Sequence, residues 1–83
     1  MEITLKLYAG LSQYLPENAV KHATKVDIPA SESAYSILER FNVPKESAHL
    51  VLLNGVYLDP NERENSIFSE GDTLAVWPPV AGG

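Results

Sequence analysis

The residues best placed to do chemistry are the last seven, Trp77-Pro78-Pro79-Val80-Ala81-Gly82-Gly83, and the reactive group they offer is a main-chain carboxylate, not a side chain. Pro78 and Pro79 supply no backbone N–H and hold φ at about −65°, so a β-ladder that reaches Trp77 must stop there and the chain must leave in an extended path. Beyond Val80 every residue is small. Gly82 and Gly83 have no Cβ, so the end of the chain is thin enough to thread a narrow channel and can take backbone angles closed to other residues. A carboxylate is a poor acyl donor because oxide would have to leave, whereas activation as an acyl-adenylate gives its carbonyl a good leaving group. A glycine-ended terminus taken alone reads more readily as merely frayed. The apolar run Leu74-Ala75-Val76-Trp77 directly upstream is what roots this tail on a strand and makes it a presented group.

No other constellation competes with it. The chain has no cysteine, which excludes a disulfide framework, a thiol nucleophile and a thiolate metal site. His22 and His49 stand apart in sequence and read as structural or surface residues, so no metal site is expected. There is no Ser-His-Asp spacing, phosphate-cradling glycine motif or oxyanion site, and the chain is not expected to catalyse by itself. Asp59, Glu62, Glu64, Glu70 and Asp72 read as a solvated face, with steering of a basic partner as the sharper alternative. Eleven acidic against six basic residues give a net charge of −5, which disfavours nucleic acid and favours a partner with a basic face. No basic-then-apolar leader and no stretch of membrane-spanning length is present, so no membrane association and a cytoplasmic location are expected. Trp77 is either a core residue at a strand end or an interface anchor, and its place just before the departing tail favours the anchor.

The elements that must position this tail follow from hydrophobic periodicity in a chain of 83 residues, which has room for one domain with one small core. Ile3, Leu5 and Leu7 alternate with Thr4, Lys6 and Tyr8, as in a half-buried strand. Gly10 to Glu17 is a wide connection whose Leu11, Tyr14 and Leu15 cap one end of the core. From Lys21 to Ile28 alternation returns through Thr24, Val26 and Ile28, and Pro29 closes a strand that forms an antiparallel hairpin with the first. Ala34, Ile37, Leu38 and Phe41 then share one face of a short helix, with Glu39 and Arg40 facing water, Ser31 or Ser33 capping its start and Asn42 with Pro44 ending it. Leu50-Val51-Leu52-Leu53 reads as an interior strand, Asn54-Gly55 as a turn and Val56-Tyr57-Leu58 as a short strand. Asn61 to Ser66 is expected as a solvated loop, Ile67 and Phe68 as core contacts, and Glu70-Gly71-Asp72 as the turn into a last strand ending at Trp77. The expectation is an α+β domain over residues 1–77 with a mixed sheet and one main helix, followed by a protruding, flexible functional tail over 78–83. Pro60, Asn61, Asn65 and Gly71 argue against the second helix that a ferredoxin-like arrangement would need.

With these residues in view the chain resembles the sulfur-carrier proteins of the ubiquitin-like β-grasp superfamily, and most closely the small, sulfur-carrying subunit of molybdopterin synthase. The specific part is the terminal Pro78-Pro79-Val80-Ala81-Gly82-Gly83, preceded by Trp77 where the family usually has Phe. Glu70-Gly71-Asp72-Thr73-Leu74-Ala75-Val76 resembles the family's glycine-aspartate turn and last strand, Val51-Leu52-Leu53-Asn54-Gly55 its central strand, and Ile3 to Ala9 loosely its first. Nearly the whole chain is covered, with a poor match from Gly10 to Lys25. The resemblance implies a β-grasp fold and a tail on which Gly83 is adenylated and converted to a thiocarboxylate. Gly82 would give slim access, while Ala81, Val80, Pro79 and Pro78 set reach and direction. It implies that this chain binds no cofactor itself, the ATP and magnesium belonging to a ubiquitin-activating-like adenylating enzyme. It further implies a persulfide sulfur donor and a large synthase subunit, engaged by Trp77 and the tail, in whose site a pterin precursor receives dithiolene sulfur on the way to the molybdenum or tungsten cofactor. Related carriers serve thiazole, other metabolites or tRNA, and similar tail chemistry can join a ubiquitin-like modifier to a lysine. A β-grasp binding module with an inert tail is the alternative of another class.

Overall fold

Alternating Ile3, Leu5 and Leu7 produce the first strand of the structure, a computed structural model that describes residues 1–80. Strand β1 (Glu2–Leu7) pairs antiparallel with β2 (Ala23–Asp27), Ile3 opposite Val26 and Leu5 opposite Thr24. The connection between them contains a 3₁₀ turn, Ala9–Tyr14, whose Leu11 is buried while Tyr14 and Leu15 pack against the core. The hairpin and its capping connection therefore form as the periodicity predicts, except that Lys21 and His22, read as the start of the second strand, lie in a turn at φ 50° and 69° just before it.

Helix α1 (Ala34–Arg40) starts at Ser33, not Ser31. The Ser33 hydroxyl accepts from the Ser36 N–H at 3.1 Å, and the Ser36 hydroxyl accepts from the Ser33 N–H at 2.8 Å. This reciprocal cap satisfies two donors that the first turn would otherwise leave unpaired. Ala34, Ile37 and Leu38 are buried, Phe41 is half-buried, and Glu39 and Arg40 face water. Asn42 ends the helix in the left-handed region at φ 64°.

Strand β3 (Leu50–Leu53) turns through Asn54 and Gly55, at φ 51° and 84°, into the two-residue β4 (Val56–Tyr57). Strand β5 (Thr73–Trp77) lies between β1 and β3, parallel to the first and antiparallel to the second. The sheet order is β2-β1-β5-β3-β4. A mixed five-stranded sheet with one main helix is the ubiquitin-like β-grasp fold. Alternation along each strand assigns Leu5, Leu7, Val51, Leu74 and Val76 to the face that shares its core with Ile37 and Leu38 of α1. Full burial of each such aliphatic side chain contributes about 1.5–3 kcal/mol.

The solvated loop expected over Asn61 to Ser66 is a misreading at its centre. Glu62–Glu64 is a 3₁₀ turn that buries Arg63 to 3% exposure. Its Nε donates to the Leu58 carbonyl at 2.9 Å, Nη1 to the Ala48 carbonyl at 3.0 Å and the Tyr35 hydroxyl at 3.4 Å, and Nη2 to the Tyr57 hydroxyl at 3.2 Å and the His49 carbonyl at 3.4 Å. A guanidinium carries five N–H donors and stays charged, so burial is tolerable only where oxygens meet all of them, as here. Ile67 and Phe68 do return to the core.

Candidate functional site at the root of the tail

The last ladder bonds of β5 fix where the chain leaves the sheet. Trp77 accepts from the His49 N–H through its carbonyl at 3.0 Å, and Val76 accepts from the Tyr8 N–H at 3.1 Å. The root is thus held on both sides, by the start of β3 and the end of β1. Pro78 and Pro79 come next and cannot donate to either neighbour. Val80 is 80% exposed. Ala81, Gly82 and Gly83, the residues expected to carry the reactive group, lie outside the described residues.

Trp77 is half-buried and is not a member of the core cluster. Because Val76 points into the core, Trp77 belongs to the opposite, outer face of the sheet. Its ring lies on that of Tyr8, centroids 4.4 Å apart and planes 3° from parallel. The other side of Tyr8 meets His22, at 5.1 Å and 29°. Sequence reasoning missed both companions of Trp77. Alternation does set Tyr8 on the face away from Leu7, but no periodic signal places His22, whose position depends on a turn in an irregular connection.

The same outer face continues across β3. Leu50 is opposite Trp77, and Leu52 is opposite both Ala75 and Tyr57. Leu50 and Tyr57 are 37% and 51% exposed, so an apolar strip runs from the tail root to the sheet edge. Such strips on a small domain mark contact sites more often than scattered exposed residues do.

The acidic residues are more occupied than the sequence suggests. Asp59 accepts from the N–H groups of Asn61 and Glu62, at 3.0 and 3.2 Å, and Glu62 accepts from that of Asp59 at 3.2 Å. Glu70 accepts from the Glu2 N–H at 2.9 Å, and Asp72 from the Ser69 N–H at 2.8 Å. Glu64 is 3.8 Å from Lys45. They remain solvent-accessible while serving turns. Among the described residues no cluster of three or more His, Asp or Glu side chains could hold a metal ion, and no helix is long and apolar enough to cross a membrane.

Comparison with known proteins bears on this geometry directly. The family model described as Mut7-C ubiquitin matches residues 1–82. The chain belongs to the Mut7-C ubiquitin family. This Mut7-C ubiquitin chain is also 38% identical over 65 residues to the molybdopterin synthase sulfur carrier subunit of Drosophila yakuba, a match covering 72% of this chain and 71% of that protein. The resemblance to sulfur-carrier subunits read from the tail and strands thus holds as sequence similarity over 72% of the chain. Among solved structures, the Haloferax volcanii HVO 2177 protein superposes with a TM-score of 0.77 at 19% identity, covering 100% of this chain and 87% of the other. A complex of subunits 1 and 2 of the molybdopterin-converting factor from Helicobacter pylori contains a chain that superposes at 0.57 with 18% identity, both chains being covered completely. At these identities the structural matches establish the fold of the family member alone.

Proposed function

We propose that the protein is a sulfur carrier in molybdopterin synthesis, acting as a macromolecular cosubstrate through Gly83. The observation that carries this reading is the tail root: the sheet ends at the His49 to Trp77 bond, and the sequence then runs through Pro78-Pro79 to Gly82-Gly83. The similarity to the Drosophila sulfur carrier subunit supports it. In the proposed cycle the Gly83 carboxylate attacks the α-phosphate of ATP on a ubiquitin-activating-like partner that also binds the magnesium, and pyrophosphate leaves. The terminal sulfur of a persulfide then attacks the carbonyl, and AMP departs with the electron pair of the broken C–O bond. A thiol cleaves the resulting S–S bond, leaving a thiocarboxylate on Gly83 and a disulfide on the donor.

The loaded tail would then enter the active site of a large synthase subunit, where the thiocarboxylate donates sulfur to a cyclic pyranopterin monophosphate precursor. Gly82 and Ala81 keep the tail narrow, Pro78, Pro79 and Val80 carry it away from the sheet, and Trp77 with Leu50 forms the docking surface beside it. The test is reconstitution with the large subunit and that precursor. The carrier bearing a Gly83 thiocarboxylate should yield dithiolene product in proportion to carrier added, whereas the carboxylate form should yield none. Loaded carrier that instead reacts only with lysines of other proteins would replace this reading with that of a protein modifier.

A further inference from the structure

Five non-glycine residues among those described have φ in the left-handed region: Ala9, Lys21, His22, Asn42 and Asn54. Asparagine tolerates that region, so Asn42 and Asn54 need no special explanation. The other three flank Tyr8 in the chain or belong to the turn that carries its ring partner His22. Ala9, at φ 52°, follows Tyr8 in the chain, while Lys21 and His22, at 50° and 69°, are the centre of a two-residue turn closed by Val20 and Ala23. Val20 and Ala23 exchange N–H to carbonyl bonds of 2.9 and 3.0 Å. Two successive positive φ values in such a turn are the pattern that Asn-Gly fills most readily, and side chains of the lysine and histidine type hold it only at a cost in backbone strain.

That cost has a visible result. The turn sets the His22 ring on Tyr8 at 5.1 Å, and Tyr8 lies on Trp77 at 4.4 Å. The His22 carbonyl also accepts from the Leu7 N–H at 3.0 Å, so the turn is tied to the end of β1. None of the three rings belongs to the core cluster, and Val20 beside the turn is 69% exposed, so burial does not account for the arrangement. The column ends on the residue from which the proline segment departs.

We propose that Tyr8 and His22 are positioning residues: stacked on one another and on Trp77, they fix the plane of the indole and thereby the direction in which Pro78 and Pro79 carry the tail to a partner. The inference rests on the carrier reading for its functional part, and on ring geometry alone for its structural part. A misdirected tail would reach an adenylating or acceptor site less often in reacting geometry, which lowers rate without requiring any loss of fold.

The strained turn makes the idea testable, because the substitution that removes the ring also relieves the backbone. In the full chain, Lys21→Asn with His22→Gly should leave thermal stability equal or raised. Trp77 is the only tryptophan, so near-UV circular dichroism in the indole region reports the column. That band should weaken in the double variant and return with His22→Phe, which keeps a flat ring. The apparent rate of pyrophosphate release with the adenylating enzyme of the same source should fall at least about tenfold in the double variant and recover in His22→Phe. An unchanged indole band, or a double variant that reacts within twofold of the parent, would overturn the proposal. A parent that the adenylating enzyme does not activate at all would count against the carrier reading instead, and the indole band would still decide whether the column holds Trp77.

Discussion

Asn54 and Asp72 join two turns that are 18 residues apart: the Asn54 side-chain N–H donates to the Asp72 carboxylate at 2.9 Å. The Asn54 amide oxygen in turn accepts from the Thr73 N–H at 2.9 Å, the first residue of β5. One side chain thus registers the β3–β4 turn against the start of the strand that carries the tail, while its own backbone occupies the left-handed region. Asn54→Ala should lower unfolding free energy by about 1–2 kcal/mol in urea titrations, from two lost bonds and an unfavourable φ. Asn54→Gly restores the backbone freedom but not the bonds and should lose less. Equal stability of parent and alanine variant would show that the bridge contributes nothing.

Arg63 supports the other end of the same hairpin, tying Leu58 and Tyr57 to Ala48, His49 and Tyr35 of α1. Arg63→Met keeps the length of the side chain but strands buried carbonyls, and should cost about 2–4 kcal/mol by denaturant unfolding. Arg63→Lys should recover little, since an ammonium has three donors and not the planar fork. A loss below about 0.5 kcal/mol for the methionine variant would contradict the burial described.

What could be read from the sequence divides along physical lines. Periodicity identified β1 and α1 because Leu5 and Ile37 each repeat with neighbours on one face, the apolar run Leu74 to Trp77 identified β5, and such patterns survive without knowledge of partners. Asn54-Gly55 was equally plain as a turn, since its residue types answer a backbone need. The bridge from Asn54 to Asp72 was not, because a polar side chain can bond locally, to water or across the fold, and sequence separation does not choose between these. Arg63 failed for a stronger reason: flanked by Glu62 and Glu64 it has the composition of a surface turn, and its burial depends on five oxygens brought together from three segments. At the site, Trp77 was found from its neighbours in sequence, but Tyr8 and His22 only from the sheet and turn that gather them.

Trp77→Ala should separate docking from folding. The indole is half-buried and stacked, so its removal should cost the isolated domain about 0.5–1.5 kcal/mol for the lost ring pair plus a partial burial term. Affinity for the large synthase subunit should fall by roughly 2 kcal/mol or more, about thirtyfold in Kd, if the indole is the anchor. Trp77→Phe should nearly preserve both. Titration calorimetry showing unchanged affinity would remove Trp77 from the docking surface.

Gly82→Phe tests the width of the tail. A bulky side chain at this position should leave the unfolding midpoint of the domain unaltered while slowing adenylation or sulfur transfer by more than about tenfold, the result expected of a tail that must thread a narrow partner channel. Equal rates for variant and parent would show that no narrow channel is entered.

The central claim is that sulfur is carried at the carboxylate of Gly83, and intact-mass spectrometry reads it directly. The parent chain and a chain extended by one alanine after Gly83 are each incubated with the adenylating enzyme, magnesium ATP and a persulfide donor. Replacement of one oxygen by sulfur should add about 16 Da to the parent, localised to the C-terminal residue by fragmentation, and nothing to the extended chain. An unmodified parent under conditions in which the adenylating enzyme loads its own known carrier, or an equal gain on the extended chain without trimming, would contradict the account.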